Sequence, residues 1–125
     1  GALSIIRIIG FYSIVPLNDN GRDKVMSEQV DGRKFTVDHI ARRFRDASAL
    51  YIGVIACDGS RGRHQAIASL LTNVQQLEDE MARPVPILTR PTTKEGLNLA
   101  RRRGFEAIDG SGARDLNKVY RYRDA

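Results

Sequence analysis

An apolar run, a polar loop and a helical pattern follow one another between residues 49 and 71, and they constrain the fold most. Residues 50–56 are almost all apolar, which is typical of a central strand buried on both faces. From Ile67 to Met81 the apolar residues recur at helical spacing. The loop between them, residues 57–65, is rich in turn-forming residues. The sequence therefore predicts a strand, a tight turn and a helix in direct succession.

The loop is also suited to an anion, because the unpaired amides and positive dipole end of the helix point toward it. Arg61, Arg63 and His64 add positive charge. Both arginines are also compatible with solvated turn residues, and His64 with a surface residue rather than a catalytic base. Cys57 suits a small apolar position at the strand end better than a covalent role. Neither GxxxxGK[ST] nor GxGxxG occurs after a strand, so the predicted phosphate cradle is of another type.

Two segments carry a resemblance to a known superfamily. Residues Arg63 to Ala68 resemble the R/Q-x-x-G-x-G/A pyrophosphate loop of the GNAT superfamily of acyl-CoA N-acyltransferases. Residues 90–108 resemble its second signature, in which a strand and a helix lead into a Gly-Phe pair, here Gly104 and Phe105. The resemblance covers residues 10–122. It implies acetyl-CoA as the acyl donor and direct acyl transfer to an amine.

The resemblance also implies a fold and a set of cofactor contacts. The expected fold is a single α/β domain over residues 1–125, a GNAT-like mixed sheet flanked by helices in the order ββααβαβαββ, beginning near the family's second strand. The central strand is expected to splay from its neighbour and leave backbone groups free for the pantetheine arm. The residues expected to contact acyl-CoA are Ile55, Ala56, Cys57, Arg61, Arg63, His64, Gln65, Ala66, Ile67, Ala68 and Thr93.

Three positions depart from the family pattern. Ala66 replaces the first glycine of the loop, and Thr93 stands where an asparagine is frequent. Ala100 occupies the place of the tyrosine that often protonates the departing thiolate, so no catalytic residue is identified. A catalytically silent acyl-CoA-binding domain is therefore an alternative to an N-acetyltransferase.

Composition separates the remaining function classes. The net charge of +5 suits polyanionic CoA, solubility or a nucleic-acid-binding module. The last is disfavoured because aromatic residues make up only 6% and do not alternate with basic ones. With one cysteine and two histidines, no disulfide or metal site is expected. No apolar run approaches the roughly 18 residues of a membrane span, and a cytoplasmic protein is expected. Pairing of the late strands between subunits would give a homodimer.

The remaining patterns predict the other elements. A turn is expected at residues 18–21, followed by a helix at 23–28 and a second helix that begins after a cap at Thr36. Thr92 and Glu95 form a predicted capping box for a helix that ends at Arg103. The predicted strands are residues 3–9, 11–17, 50–56, 85–88, 105–108 and 119–122.

Overall fold

A mixed sheet of six strands organises the part of the chain that the computed structural model describes, which is residues 7–9, 12–30, 34–54, 76, 78–108, 116 and 118–122. The strands are β1 (Arg7–Ile9), β2 (Tyr12–Leu17), β3 (Ala49–Val54), β4 (Ile87–Thr89), β5 (Phe105–Ala107) and β6 (Tyr120–Tyr122). The α-helices with described bounds are α1 (Asp19–Met26) and α2 (Lys94–Arg102). Residues 76 and 78–80 are also helical.

The strands lie in the order β1-β2-β3-β4-β6-β5, and β3 and β4 are the parallel pair. All other neighbours are antiparallel. The prediction of a mixed α/β fold with a central apolar strand is confirmed, since β3 lies between β2 and β4. The short strand predicted around residues 85–88 is also confirmed as β4, with Pro84 and Pro86 before its first residue.

Both faces of the sheet are buried, as the apolar run in β3 requires. One face packs against α2, and its core side chains are Ile14, Leu50, Ile52, Ile87, Leu97, Ala100, Phe105 and Tyr120. The other face packs against α1, and its core side chains include Val15, Leu17, Val25, Tyr51, Leu88 and Val119. Alternate residues of β2, β3 and β4 therefore belong to opposite cores. In the described residues, no helix has the length and apolarity needed to cross a membrane.

The predicted turn at residues 18–21 is wrong beyond its first residue. Asn18 caps α1, because its side-chain oxygen accepts a 2.8 Å hydrogen bond from the Gly21 amide. The helix therefore begins at Asp19 rather than near Asp23. Gly21 lies inside the helix, where a Cβ would come within 2.2 Å of the His39 carbonyl oxygen. Glycine is needed here for a close approach of two backbones rather than for a turn.

The second predicted helix is also wrong, although its cap is correct. Thr36 accepts a 3.3 Å hydrogen bond from the Asp38 amide and donates its own amide to His39 Nδ1 at 3.1 Å. Only a 3₁₀ turn, Val37–His39, follows the cap, because Ile40 pairs with Leu17 at the edge of the sheet. A separate 3₁₀ turn, Phe44–Asp46, leads toward β3. Sheet pairing has overridden the helical spacing of the apolar side chains.

Candidate functional site at the carboxyl ends of β3 and β4

The predicted acyl-CoA contacts divide between two parts of the chain. Most of them lie outside the described residues, including the whole predicted pyrophosphate loop. These are Ile55, Ala56, Cys57, Arg61, Arg63, His64, Gln65, Ala66, Ile67 and Ala68. Val54, at the end of β3, is the described residue that directly precedes this segment. Thr93, before α2, is the one predicted contact that lies within the described residues. The site is therefore described through the carboxyl end of β3, which residue 55 follows.

At that edge the parallel pairing of β3 and β4 stops before β3 ends. The register pairs Leu50 with Ile87 and Ile52 with Thr89, whereas β3 continues to Val54. The Leu50 amide donates to Pro86 O across this pair at 2.9 Å. Because backbone groups alternate along a strand, Val54 directs its N–H and C=O to the same side, past the last residue of β4. The described part of β4 offers Val54 no pairing partner.

Thr89 marks the point at which the two strands separate. The residue is 8% exposed, and its hydroxyl donates a 2.9 Å hydrogen bond to the Ile52 carbonyl. Pro91, two residues later, has no backbone N–H and cannot extend a ladder. The sequence analysis did not single out Thr89. The signal for it was a hydroxyl in an otherwise apolar strand.

Thr93 caps α2, so the prediction of Thr92 as the cap is wrong by one residue. The Thr93 hydroxyl accepts a 3.1 Å hydrogen bond from the Gly96 amide, and its carbonyl accepts one from Leu97 at 3.0 Å. Its side chain is exposed. Thr93 therefore starts the helix beside the end of β4, and its hydroxyl is already engaged by the helix backbone.

A segment that follows α1, residues 27–30, reaches the same end of the sheet. Glu28 Oε2 lies 3.5 Å from Lys118 Nζ, just before β6. Arg90, just after β4, places Nη1 3.5 Å from the Val30 carbonyl oxygen. The sequence analysis missed these three charged residues, because nothing in the pattern of residues 18–30 indicated that the chain after α1 returns to the sheet.

The chemistry available at this edge is that of backbone amides, hydroxyls and charged side chains. Among the described residues, no group of three or more histidine, cysteine, aspartate or glutamate side chains could hold a metal ion. An open pocket of about 390 Å³ lies elsewhere, at the amino end of β4. Its described lining includes Met81, Arg83 and Val85, none of which is a predicted acyl-CoA contact.

No protein-family model, curated protein or solved structure matches this chain.

Proposed function

We propose that this chain is an acetyl-CoA-dependent N-acyltransferase of the GNAT type, which transfers an acyl group directly to an amine. The observation that carries the proposal is that the described pairing of β3 with β4 ends at Thr89, whereas β3 continues to Val54. Extended pantetheine contains two amide groups and could add to β3 as a short strand. Such an opening in the middle of a mixed sheet would correspond to the splay that the resemblance implies.

The position of the loop supports the same function. Residue 55 directly follows the end of β3 that extends beyond the described pairing with β4, and the loop-like sequence from Arg63 to Ala68 begins a few residues later. An acyl-CoA whose pantetheine lies beside Val54 would have its pyrophosphate within reach of that loop. The arginines at positions 61 and 63 would attract the pyrophosphate by charge.

The proposed reaction requires only one bond exchange. The neutral amine nitrogen attacks the thioester carbonyl, a C–N bond forms, and the C–S bond breaks. The sulfur leaves as a thiolate and takes up one proton, while the ammonium form of the acceptor has released two protons in total. Close placement of the amine and polarisation of the carbonyl by a backbone N–H would provide most of the rate.

A second candidate, a silent acyl-CoA-binding domain, is favoured by one specific observation. Ala100 is 5% exposed and packs in the core with Leu97, Phe105 and Tyr120. The position that resembles the family's proton-donating tyrosine is therefore filled by a buried methyl group. Another proton donor would be needed for the thiolate, and water can serve if the site admits it.

Ligand-dependent thermal stability tests binding. We expect acetyl-CoA and CoA at about 100 times their dissociation constants to stabilise the protein by about 2.7 kcal/mol, whereas single-stranded DNA at physiological salt gives no comparable shift. A shift with DNA alone would favour the nucleic-acid-binding module and contradict the proposal. Release of free thiol in the presence of amine acceptors would then distinguish the enzyme from the silent binder.

A pair of variants tests the location of the site. Ala66→Glu places a carboxylate in the predicted pyrophosphate loop, and we expect it to abolish stabilisation by CoA through charge repulsion. Ala82→Glu introduces the same charge at an exposed residue before β4 and should retain CoA stabilisation. Equal CoA binding by both variants would show that the pyrophosphate lies elsewhere.

A further inference from the structure

Three charged side chains lie at the carboxyl end of β4, where its described pairing with β3 ends. Thr89 of β4 pairs with Tyr120 of β6 in an antiparallel register. Arg90, one residue after Thr89, and Lys118, two residues before Tyr120, therefore lie at the same end of these two strands. The segment after α1 contacts both residues. The Glu28 carboxylate contacts Lys118, and the Val30 carbonyl oxygen contacts Arg90. One carboxylate and two cations thus lie at the carboxyl end of β4, which is the same end of the sheet as Val54.

The contact between Glu28 and Lys118 can be exchanged at low cost. Its 3.5 Å separation is longer than the 2.7–2.9 Å of a charge-assisted hydrogen bond. The side chains are 35% and 52% exposed, and exposed ion pairs contribute little to stability. A ligand that carries both charges can replace this single long contact with two short ones, since each protein group would receive a partner of opposite sign.

The backbone fixes Glu28 in an unusual conformation for its residue type. Its φ of 62° lies in the left-handed region, where glycine is the common residue after a helix. Hydrogen bonds to the end of α1 hold it there, from the Glu28 amide to Val25 O and from the Gln29 amide to Lys24 O, each at 2.9 Å. A side chain at this position carries a conformational cost that glycine would avoid, and the position directs a carboxylate to the sheet edge.

From these contacts we propose that the acceptor is a small zwitterionic amine, an α-amino acid, bound between Glu28 and Lys118 at the carboxyl end of β4. The proposal rests on the proposed acyltransferase function and names its substrate class. The acceptor carboxylate would bind Lys118 and Arg90, and its ammonium group would bind Glu28, then lose one proton to become the neutral amine that attacks the thioester; the second proton leaves as the amide bond forms.

Acceptor kinetics and binding with matched substrates test this proposal. The twenty common L-amino acids are assayed for thiol release, and the best acceptor is compared with the amine that lacks its carboxylate. For Lys118→Met we expect the KM of the amino acid to rise about tenfold, the effect of one charge-assisted hydrogen bond. The KM of acetyl-CoA and that of the decarboxylated amine should be unchanged. Lys34→Met, at an exposed lysine of the same segment as Thr36, serves as the control and should change none of these values.

Binding measured without turnover completes the test. Calorimetric titration of the best amino acid into protein saturated with CoA should show binding that Glu28→Gln weakens about tenfold and Lys34→Met does not. A preference for the decarboxylated amine, or an equal effect of Lys118→Met on both substrates, would overturn the proposal. Binding of CoA without binding or use of any amino acid would overturn it while leaving the acyltransferase function intact. Failure of CoA itself to stabilise the protein would overturn both.

Discussion

The centre of the sheet and the segment between β2 and β3 are held together in different ways. In β3 and β4, Leu50, Ile87 and Leu88 are completely buried, and side-chain volume specifies the structure. In residues 18–48, which we call the insert, backbone carbonyls of Asp38 and His39 receive the contacts that position α1. Both regions bury apolar side chains, Val25 and Ile40 among those of the insert, but the insert also requires hydrogen bonds to two backbone carbonyls to position α1. Substitutions should therefore affect them by different mechanisms.

The largest expected effect comes from the sheet centre. Leu50→Ala removes a fully buried side chain and should lower the free energy of unfolding by about 2–5 kcal/mol, because the surrounding core can only partly close the cavity. Urea denaturation measures the change. Leu50→Met keeps most of the volume and should cost less than about 1.5 kcal/mol. Equal losses for the two variants would show that volume is not what Leu50 supplies.

In the insert, the corresponding test adds an atom rather than removing one. Gly21→Ala brings a Cβ to within 2.2 Å of the His39 carbonyl oxygen, and we expect a loss of about 1–3 kcal/mol as α1 and the turn move apart. Gly96→Ala is the control, because its nearest atom is the Thr93 side-chain hydroxyl at 3.1 Å rather than a backbone atom. There the gain in helix propensity, roughly 1 kcal/mol, should offset the close contact. Similar denaturation midpoints for both variants would contradict the close approach.

The hydrogen bonds of the insert predict a smaller effect. Asn18→Ala removes the cap of α1 and a 2.8 Å hydrogen bond to Asp38 O, and should cost about 0.5–2 kcal/mol. Asn20→Ala removes only a 3.3 Å hydrogen bond to the same carbonyl and should cost less than about 0.5 kcal/mol. Amide exchange at Gly21, measured by NMR, should accelerate in the first variant only. A reversed order of stabilities would contradict the assigned cap.

The smallest effect depends on pH and comes from a contact between the two ends of the insert. The buried Ser48 hydroxyl donates to the Asp19 carboxylate and lowers the pKa of Asp19 below 3.8, against an opposing effect of desolvation and with help from Arg22 and Arg83. Because the pKa is lowered in the folded state, the stabilisation is present above pH 3.8 and is lost as pH falls through the lowered value. Asp19 is largely exposed, so the effect is modest.

Melting temperatures between about pH 6 and pH 3 measure this contribution. The difference between the wild-type protein and Asp19→Asn should be largest near neutral pH and should close in acid. For Ser48→Ala, as for Asp19→Asn, the melting temperature should fall less than that of the wild-type protein as the pH decreases. A difference that widens as pH falls would show that the sign assigned to the Asp19 pKa is incorrect.

The same comparison explains which parts of the fold the sequence predicts. The strands follow from apolar runs, and β2, β3, β4 and β6 lie close to their predicted positions because burial alone specifies them. The insert was misread at α1 and after Thr36, because Gly21 and Ile40 are determined by contacts with residues distant in the sequence. Periodicity does not contain that information.

The candidate site likewise has one part that the sequence predicts and another that depends on contacts between distant segments. The loop from Arg63 to Ala68 was found from local pattern and resemblance, and it stays a prediction because it lies outside the described residues. The contacts of Glu28, Arg90 and Lys118 join three segments that are far apart in the chain. They become visible only when the sheet brings the ends of β4 and β6 together.

The strand order also determines how the chain must reach this fold. β1 and β2 are separated by only residues 10 and 11, but β3 joins β2 across residues 18–48 and β4 joins β3 across residues 55–86. The central pairings therefore close long loops. The chain must lose the conformational entropy of these loops before contacts between the strands can stabilise it. We expect folding on the millisecond-to-second timescale, limited by the search of β3 for its neighbours. Until β3 arrives, the hydrogen-bonding edge of β2 is exposed, and refolding at high protein concentration should favour aggregation through that edge.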